Sequence, residues 1–417
     1  MPVSDSEVHI LSEITHNEVV FSDGVGVISV ELAEQISQQF NPDATETFAA
    51  FQIRYRGSKG VLSVAPKGVK LPRGCHIGLR PSMIKFEGNI GHKSLDVLAV
   101  SRPITCYLNR QIILILRTLG LSVDPVMILL DYTLHNIQQA MLTNEAAYDL
   151  ITRNGGGGGE GVLKACFNAG IPVNSEPFLH GLVRAQCENL MLDLQTKARI
   201  LIENGVTLIG IVDESQELPY GHIFYQYHTP DGRIVRPEHG TRIIVYRSPS
   251  LHPGDVRFLT FYDLPAYDHI YDVAVFSTLG SRPQANEMSG GDYDGDIFSC
   301  ITETSLIPPD MYVPPAVYDA PLRPPLMSST VTIDDIKTFY VDYIKNDNLG
   351  RIANAHLVYA DLSGDQGASS SECLELAALH STAVDFAKTG VPADYNGRKH
   401  LMPKAYPHFM EKRNKPG

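Results

Sequence analysis

The sequence predicts a mixed α+β chain: two β-rich stretches, a helical connector between them, and a helical C-terminal region. Three observations predict it. Short β-branched and aromatic runs, punctuated by glycine and proline, fill residues 19–104 and again 206–304. Between them Val183, Cys187, Leu190, Leu194, Ala198 and Leu201 recur at three- and four-residue steps, the apolar stripe of a helix. After Ile307 a proline-rich crossing leads into a second periodic region. The 417 residues, 43% hydrophobic, suffice for two or three packed domains. The expected boundaries are 1–105, 106–205, 206–306 and 307–417.

In the first β-rich stretch, Phe21-Ser22-Asp23-Gly24 is a turn entering a strand at Val25 to Ile28, and a short helix is expected over 30–38. Strands follow at 51–55 and 60–64, joined by a glycine-bearing turn with Arg54, Arg56 and Lys59 around it. A further segment, 79–86, carries Arg80 and Lys85. Basic residues bracketed by apolar ones suggest cations fixed on a scaffold. Taken singly, each is more simply an ordinary surface Lys or Arg.

The most apolar region, 112–130, is interrupted by Arg117, Asp124 and Pro125, which predicts a buried element and not a membrane span. The run Gly155 to Gly159 has no Gly-Lys-Ser/Thr after it and reads as a mobile connector. Asn204-Gly205 is a suitable stop for the helix before it.

Strands return at 207–212, 221–225, 243–246 and 273–276. The prolines between 308 and 325 make a linker. Thr332 is placed to cap a helix running to Tyr343. Leu376, Leu379, Ala383 and Phe386 form one more stripe, ending at Gly390 with Pro392 beyond. The basic tail from Lys412 to Gly417 lacks a closing element, as expected of a fragment or of a disordered end.

The net charge of −13 argues against wholesale coating by nucleic acid, so any nucleic-acid site must be a local basic groove. Cys75, Cys106, Cys166, Cys187, Cys300 and Cys373 form no CxxC pair. Reduced thiols inside a cell are expected, with neither a zinc site nor a disulfide framework. The N-terminal residues lack a basic and apolar signal peptide.

The stretch most in need of explanation is Ser289-Gly290-Gly291-Asp292-Tyr293-Asp294-Gly295-Asp296. In an extended backbone alternate side chains leave one face, so three carboxylates would point the same way and repel. A hard cation with oxygen ligands removes that conflict, Mg²⁺ being the common case beside phosphates. Two other readings compete. One is a solvated acidic turn. The other is a calcium loop with Asp292, Asp294, Asp296 and Glu303 at its first, third, fifth and twelfth positions. Ile297 stands where that loop needs glycine, and strand-like flanks replace the required helices.

Across nearly its whole length the sequence resembles the eukaryotic RNA-dependent RNA polymerases of RNA silencing. The resemblance begins at Asp23-Gly24-Val25-Gly26 with Glu31-Leu32-Ala33. It continues through Arg54-Tyr55-Arg56-Gly57-Ser58-Lys59-Gly60, Arg80 to Phe86, Asp213-Glu214 and His252-Pro253-Gly254-Asp255. It peaks between Arg282-Pro283 and Asp296, and extends over Asn346 to Gly350 and Ala383 to Gly390. Tyr293 leans toward the fungal branch. The family usually carries a long region before these words and a full head after them, neither of which is complete here.

The resemblance implies two double-psi β-barrels joined by helices. It implies Mg²⁺-dependent nucleotidyl transfer by a two-metal arrangement, with Mn²⁺ able to substitute. Asp292, Asp294 and Asp296 would be the catalytic metal ligands, faced by Lys59 and Lys85 from the other barrel. Arg54 would serve the substrate or pair with a carboxylate. Arg247-Ser248-Pro249-Ser250-Leu251-His252 is similar to a segment that multisubunit RNA polymerases hold near the nucleotide sugar, so Arg247 and Pro249 would sit beside the ribose. The implied partners are an RNA template, nucleoside triphosphates and the RNA-silencing machinery, with a homodimer allowed and no membrane. The compartment is intracellular, nucleus or cytoplasm. A non-catalytic polymerase-like RNA-binding protein is the principal alternative. The large subunit of a DNA-dependent polymerase shares the acidic loop but not this arrangement of both barrels in one chain.

Overall fold

The computed structural model describes residues 2–40, 47–86, 94–154, 160–309, 311–317 and 330–410. The first unit comprises β1 (Val8–Ile10), β2 (Thr15–His16), β3 (Val19–Val20), β4 (Val25–Ile28), α1 (Val30–Phe40), β5 (Ala50–Tyr55), β6 (Ser58–Val64), β7 (Ile77–Leu79) and β8 (Asp96–Val100). β2 and β3 form a small hairpin, and the other strands make a six-stranded sheet in the order β1-β7-β4-β6-β5-β8. Among the described residues the end strands β1 and β8 do not pair, and an isolated bridge, Pro2 to Ser94, joins their neighbourhoods.

Ser29 caps α1 by accepting the Leu32 N–H at 3.2 Å. The helix buries Leu32, Ala33 and Ile36 against Ile28, Phe51, Ile53 and Leu62. The β5–β6 hairpin turns at Arg56 and Gly57, with φ of 45° and 86°. Two successive positive φ values suit a two-residue hairpin, because that turn matches the twist of its strands. The turn fixes the register that sets Arg54 opposite Lys59.

Next come β9 (Ile104–Tyr107), α2 (Arg110–Thr118), α3 (Asp124–Ala140), α4 (Asn144–Arg153), α5 (Glu160–Asn168) and α6 (Pro177–Lys197). The apolar region 112–130 is only partly buried. Ile112, Ile115 and Leu116 are core, but Met127 and Ile128 on α3 are 46% and 67% exposed. α6 ends at Ala198, in a left-handed conformation, and not at Asn204-Gly205. The reason is competition: Leu201 pairs with Tyr107 of β9, so the chain is already a strand where the apolar stripe suggested more helix. The expected connector Gly155 to Gly159 lies outside the described residues.

The second unit holds β10 (Leu201–Val212), β11 (His222–His228), β12 (Ile234–Val235), β13 (Arg242–Tyr246), β14 (Val256–Phe261), β15 (Val273–Phe276), α7 (Gln284–Glu287) and β16 (Ile297–Ile301). The strand path is β12-β11-β14-β13-β16-β10-β15, with β9 on β10. β11 also pairs with β15, so six of these strands close into a ring. Its interior is filled by Leu208, Phe224, Phe261, Phe276, Tyr293 and Phe298, all essentially inaccessible. One closed six-strand barrel is thus present, beside a first sheet whose edges are bridged at one point.

A bidentate ion pair locks the two units together. Arg80 Nη1 and Nη2 donate to Glu214 Oε1 and Oε2 at 2.9 and 2.7 Å. Both side chains are buried, and Arg80 also donates to the carbonyls of Val25 and Ser12.

The C-terminal region contains α8 (Ile333–Asn346), α9 (Leu349–Leu362), α10 (Ser371–Val384) and α11 (Phe386–Thr389). Thr332 caps α8 through a reciprocal box with Asp335. The stripe expected as one helix is two, broken at Asp385. α11 stops at Gly390, whose φ of 72° glycine adopts at little cost. Phe386 stacks on Tyr343 at 5.2 Å between ring centres, tying α11 to α8. Part of the proline-rich crossing, 318–329, and the tail from Lys412 to Gly417 lie outside the described residues. All six cysteines are free, and no helix among the described residues is long and apolar enough to cross a membrane.

Candidate active site

The acidic stretch lies between α7 and β16 on the rim of the closed barrel, where the first unit covers it. Two glycines permit the close approach. A Cβ on Gly24 would lie 2.6 Å from the Asp294 Cβ, and one on Gly295 would lie 2.2 Å from Gln52 Nε2. Gln52 Nε2 donates to the Asp294 carbonyl at 3.3 Å, and Tyr293 N–H donates to the Asp23 carbonyl at 3.4 Å. Segments more than two hundred residues apart in sequence are therefore joined, by one side chain-to-backbone and one backbone-to-backbone hydrogen bond.

The loop is not the extended backbone that would send alternate side chains to one face. The backbone bends at 293–295, and Gly295 takes a φ of 135°. Tyr293 turns inward, 5.7 Å from the ring of Phe276. Asp294 is drawn to Lys59, whose Nζ lies 2.5 Å from Oδ2. Asp296 is drawn to Arg247, whose Nε lies 2.6 Å from Oδ2. The same Asp296 oxygen accepts the Asp292 N–H at 3.0 Å, and Asp292 Oδ1 accepts the Asp294 N–H at 3.2 Å. Among the described residues no three His, Cys, Asp or Glu side chains converge as a ready metal cage. The donor set still has the chemistry of a hard-cation site: oxygen ligands on one short loop, mutually repelling.

Asp292 shows that repulsion. Burial, then the charges of Asp294 and Asp296, push its carboxyl up to about 6, while Lys388 works the other way. Asp23 is also raised, by burial first and by Glu13 and Asp294, against the lowering influence of Lys85 and Ser82. Lys388 loses by burial but gains more from Asp385, Asp292 and Asp294, so its ammonium is held more firmly than usual.

The other expected residues fall around this loop. Lys85 lies beside Asp23, exposed, with Nζ donating to the Ser82 carbonyl at 2.6 Å. Among the described residues Arg54 does not pair with a carboxylate. Its Nη1 donates to the Ile53 carbonyl at 2.9 Å, and it lines, with Arg56, Lys59, Lys85 and Phe86, an open cleft of about 420 Å³. Arg247 also donates from Nη1 to the Ser289 carbonyl at 3.3 Å. Pro249 is exposed and follows a cis peptide bond. Lys388, Asp23 and Gln52 were not singled out from the residues. The segments holding Asp23 and Lys388 stood out as family-like words, but nothing local says that α11 returns to the acidic loop.

The comparisons with known proteins agree along the whole chain. The family model for RNA dependent RNA polymerase matches residues 1–417. RNA-dependent RNA polymerase 1 of Arabidopsis thaliana is 39% identical over 409 residues, covering 95% of this chain and 35% of the relative. RNA-dependent RNA polymerase 1 of Schizosaccharomyces pombe is 32% identical over 430 residues, covering 97% of this chain and 35% of the relative. Between these two the plant relative is the more alike, so identity gives no support to the fungal lean of Tyr293. The solved structure of the RNA dependent RNA polymerase QDE-1 from Thielavia terrestris shares the fold, with a TM-score of 0.72 at 18% identity over 96% of this chain and 48% of that one. The chain spans about a third of the length of these two curated relatives. It belongs to the RNA-dependent RNA polymerase family.

Proposed function

We propose that this chain carries the catalytic centre of an RNA-directed RNA polymerase, copying an RNA template by nucleotidyl transfer within RNA silencing. The observation that carries the reading is the contact between Lys59 of the first unit and Asp294 of the second, at 2.5 Å. An acidic loop alone repels RNA and triphosphates. Polyanions become acceptable only when cations from elsewhere in the chain face it: Lys59 and Arg247 pair with Asp294 and Asp296, Lys388 acts on Asp292 and Asp294, and Lys85 lies beside Asp23. Both units are read as double-psi barrels, joined by the helices between 106 and 205 and followed from 307 onward by a proline-rich linker and a helical C-terminal region.

Each residue then has a task. Asp292, Asp294 and Asp296 would hold Mg²⁺, or Mn²⁺ in its place. When bound, such ions lower the pKa of an attacking hydroxyl and neutralise leaving phosphates. Lys59 and Lys85 would give point charges to the triphosphate; Lys59 pairs with Asp294, and Lys85 lies beside Asp23. Arg54 lines the path of the phosphates, and Arg247 and Pro249 flank the ribose. Catalysis would set the 3′-hydroxyl of the growing strand against the α-phosphate at this loop, where orientation and fixed charge supply the rate. The partners are RNA, nucleoside triphosphates and the silencing machinery, and a homodimer is compatible with this reading. Free cysteines suit an intracellular setting.

Primer extension with labelled nucleotides and Mg²⁺ tests the reading. Asp296→Ala is expected to abolish incorporation while the protein still melts cooperatively. Undiminished incorporation by that variant would remove the metal assignment.

A further inference from the structure

Asp255 has no exposed surface, yet it carries a carboxylate. It closes the short turn Pro253–Asp255 and faces two loops at once. Its Oδ2 accepts the N–H groups of Leu251 and His252, each at 2.9 Å. Its Oδ1 accepts the N–H of Ser289 at 3.2 Å. The first pair belongs to the loop that starts with Arg247. The third donor opens the acidic loop. Ser289 is thus held from both sides: Asp255 takes its N–H and Arg247 donates to its carbonyl at 3.3 Å. It sits there at a φ of 57°, a conformation that an L-residue adopts rarely and keeps when its surroundings fix it. Ser250 adds a further tie, its hydroxyl donating to the Arg247 carbonyl at 2.6 Å.

We propose that Asp255 is a positioning residue: by holding both loops it sets where the Arg247 guanidinium stands against Asp296, and so sets the choice between ribo- and deoxyribonucleotides. The inference rests on the reading that Arg247 lies beside the ribose. An ionised carboxylate suits the task because all its acceptor sites can take N–H donors. Asn at 255 would turn an NH₂ toward an N–H that it cannot accept.

The test compares incorporation of ribonucleotides and deoxyribonucleotides by the wild type, Arg247→Ala, Asp255→Asn and the double variant, with thermal melting of each. Arg247→Ala should lower discrimination. Asp255→Asn should lower it about tenfold, the loss expected of one charge-assisted hydrogen bond. The double variant should discriminate no worse than Arg247→Ala alone. If Arg247→Ala discriminates normally, the ribose reading fails and takes this inference with it. If Arg247→Ala loses discrimination while Asp255→Asn slows both nucleotide types equally, this inference alone is overturned. Should Asp255→Asn not fold, Asp255→Glu, which keeps the charge but shifts both acceptors outward by one methylene from their three N–H donors, is read in the same way. If neither melts cooperatively, Asp255 serves the fold and not Arg247.

Discussion

Asp292 is a group in the site whose carboxyl is raised toward neutral pH. With its carboxyl pushed up to about 6, it is protonated below that pH and an anion above it. A protonated carboxyl is a poor ligand for a hard cation, so protons and metal compete for it. Incorporation at limiting Mg²⁺ should therefore fall on acidification through about 6 and recover with added metal. Lys388 is one of the groups that lower this value, so Lys388→Ala should move the acid limb to higher pH. A pH–rate profile at two metal concentrations checks both statements. An acid limb that ignores metal, or that stays in place without Lys388, would contradict them. Residue chemistry also marks the limit of sequence reading here. The alternating aspartates were legible because they lie within five residues of each other. Their ion pairs were not, because Lys59 and Arg247 approach from other elements.

Among the elements, the two β units are held by more than apolar contact. Arg80 and Glu214 form a buried bidentate pair, and removing one member strands the other charge. Glu214→Ala should cost about 3–5 kcal/mol of stability, read as a lower melting temperature, since an uncompensated buried charge is far costlier than a lost surface pair. Unchanged melting would show that water reaches the site. Strand and helix positions were largely readable where local rules act alone. Thr332 capped its helix as expected, and the Arg56-Gly57 turn joined its strands. The misreadings occurred where a distant partner decided the outcome. The apolar stripe past Lys197 continued on paper, but pairing with β9 made Leu201 a strand residue. Asp385 broke the last stripe so that Phe386 could stack on Tyr343 of another helix.

At the scale of the whole molecule, a chain of net charge −13 is read as one that handles polyanions. Geometry reconciles the two: Lys59 of the first unit and Lys388 of the C-terminal region face the acidic rim of the second. The sequence held each half of that arrangement, the Asp loop and the basic turn at Lys59. Their meeting was supplied by family resemblance, since no local pattern encodes a contact between residues 59 and 294.

The most direct measurement is a double-mutant cycle on that contact. RNA-templated ribonucleotide incorporation is compared for the wild type, Lys59→Ala, Asp294→Ala and the double variant. If both side chains serve one catalytic centre, each single change should reduce turnover by about a hundredfold or more, and the double variant should be little worse than the weaker single, because residues that act as a unit are grossly non-additive. Losses that multiply, or full turnover without Lys59, would mean that the two units do not share an active site.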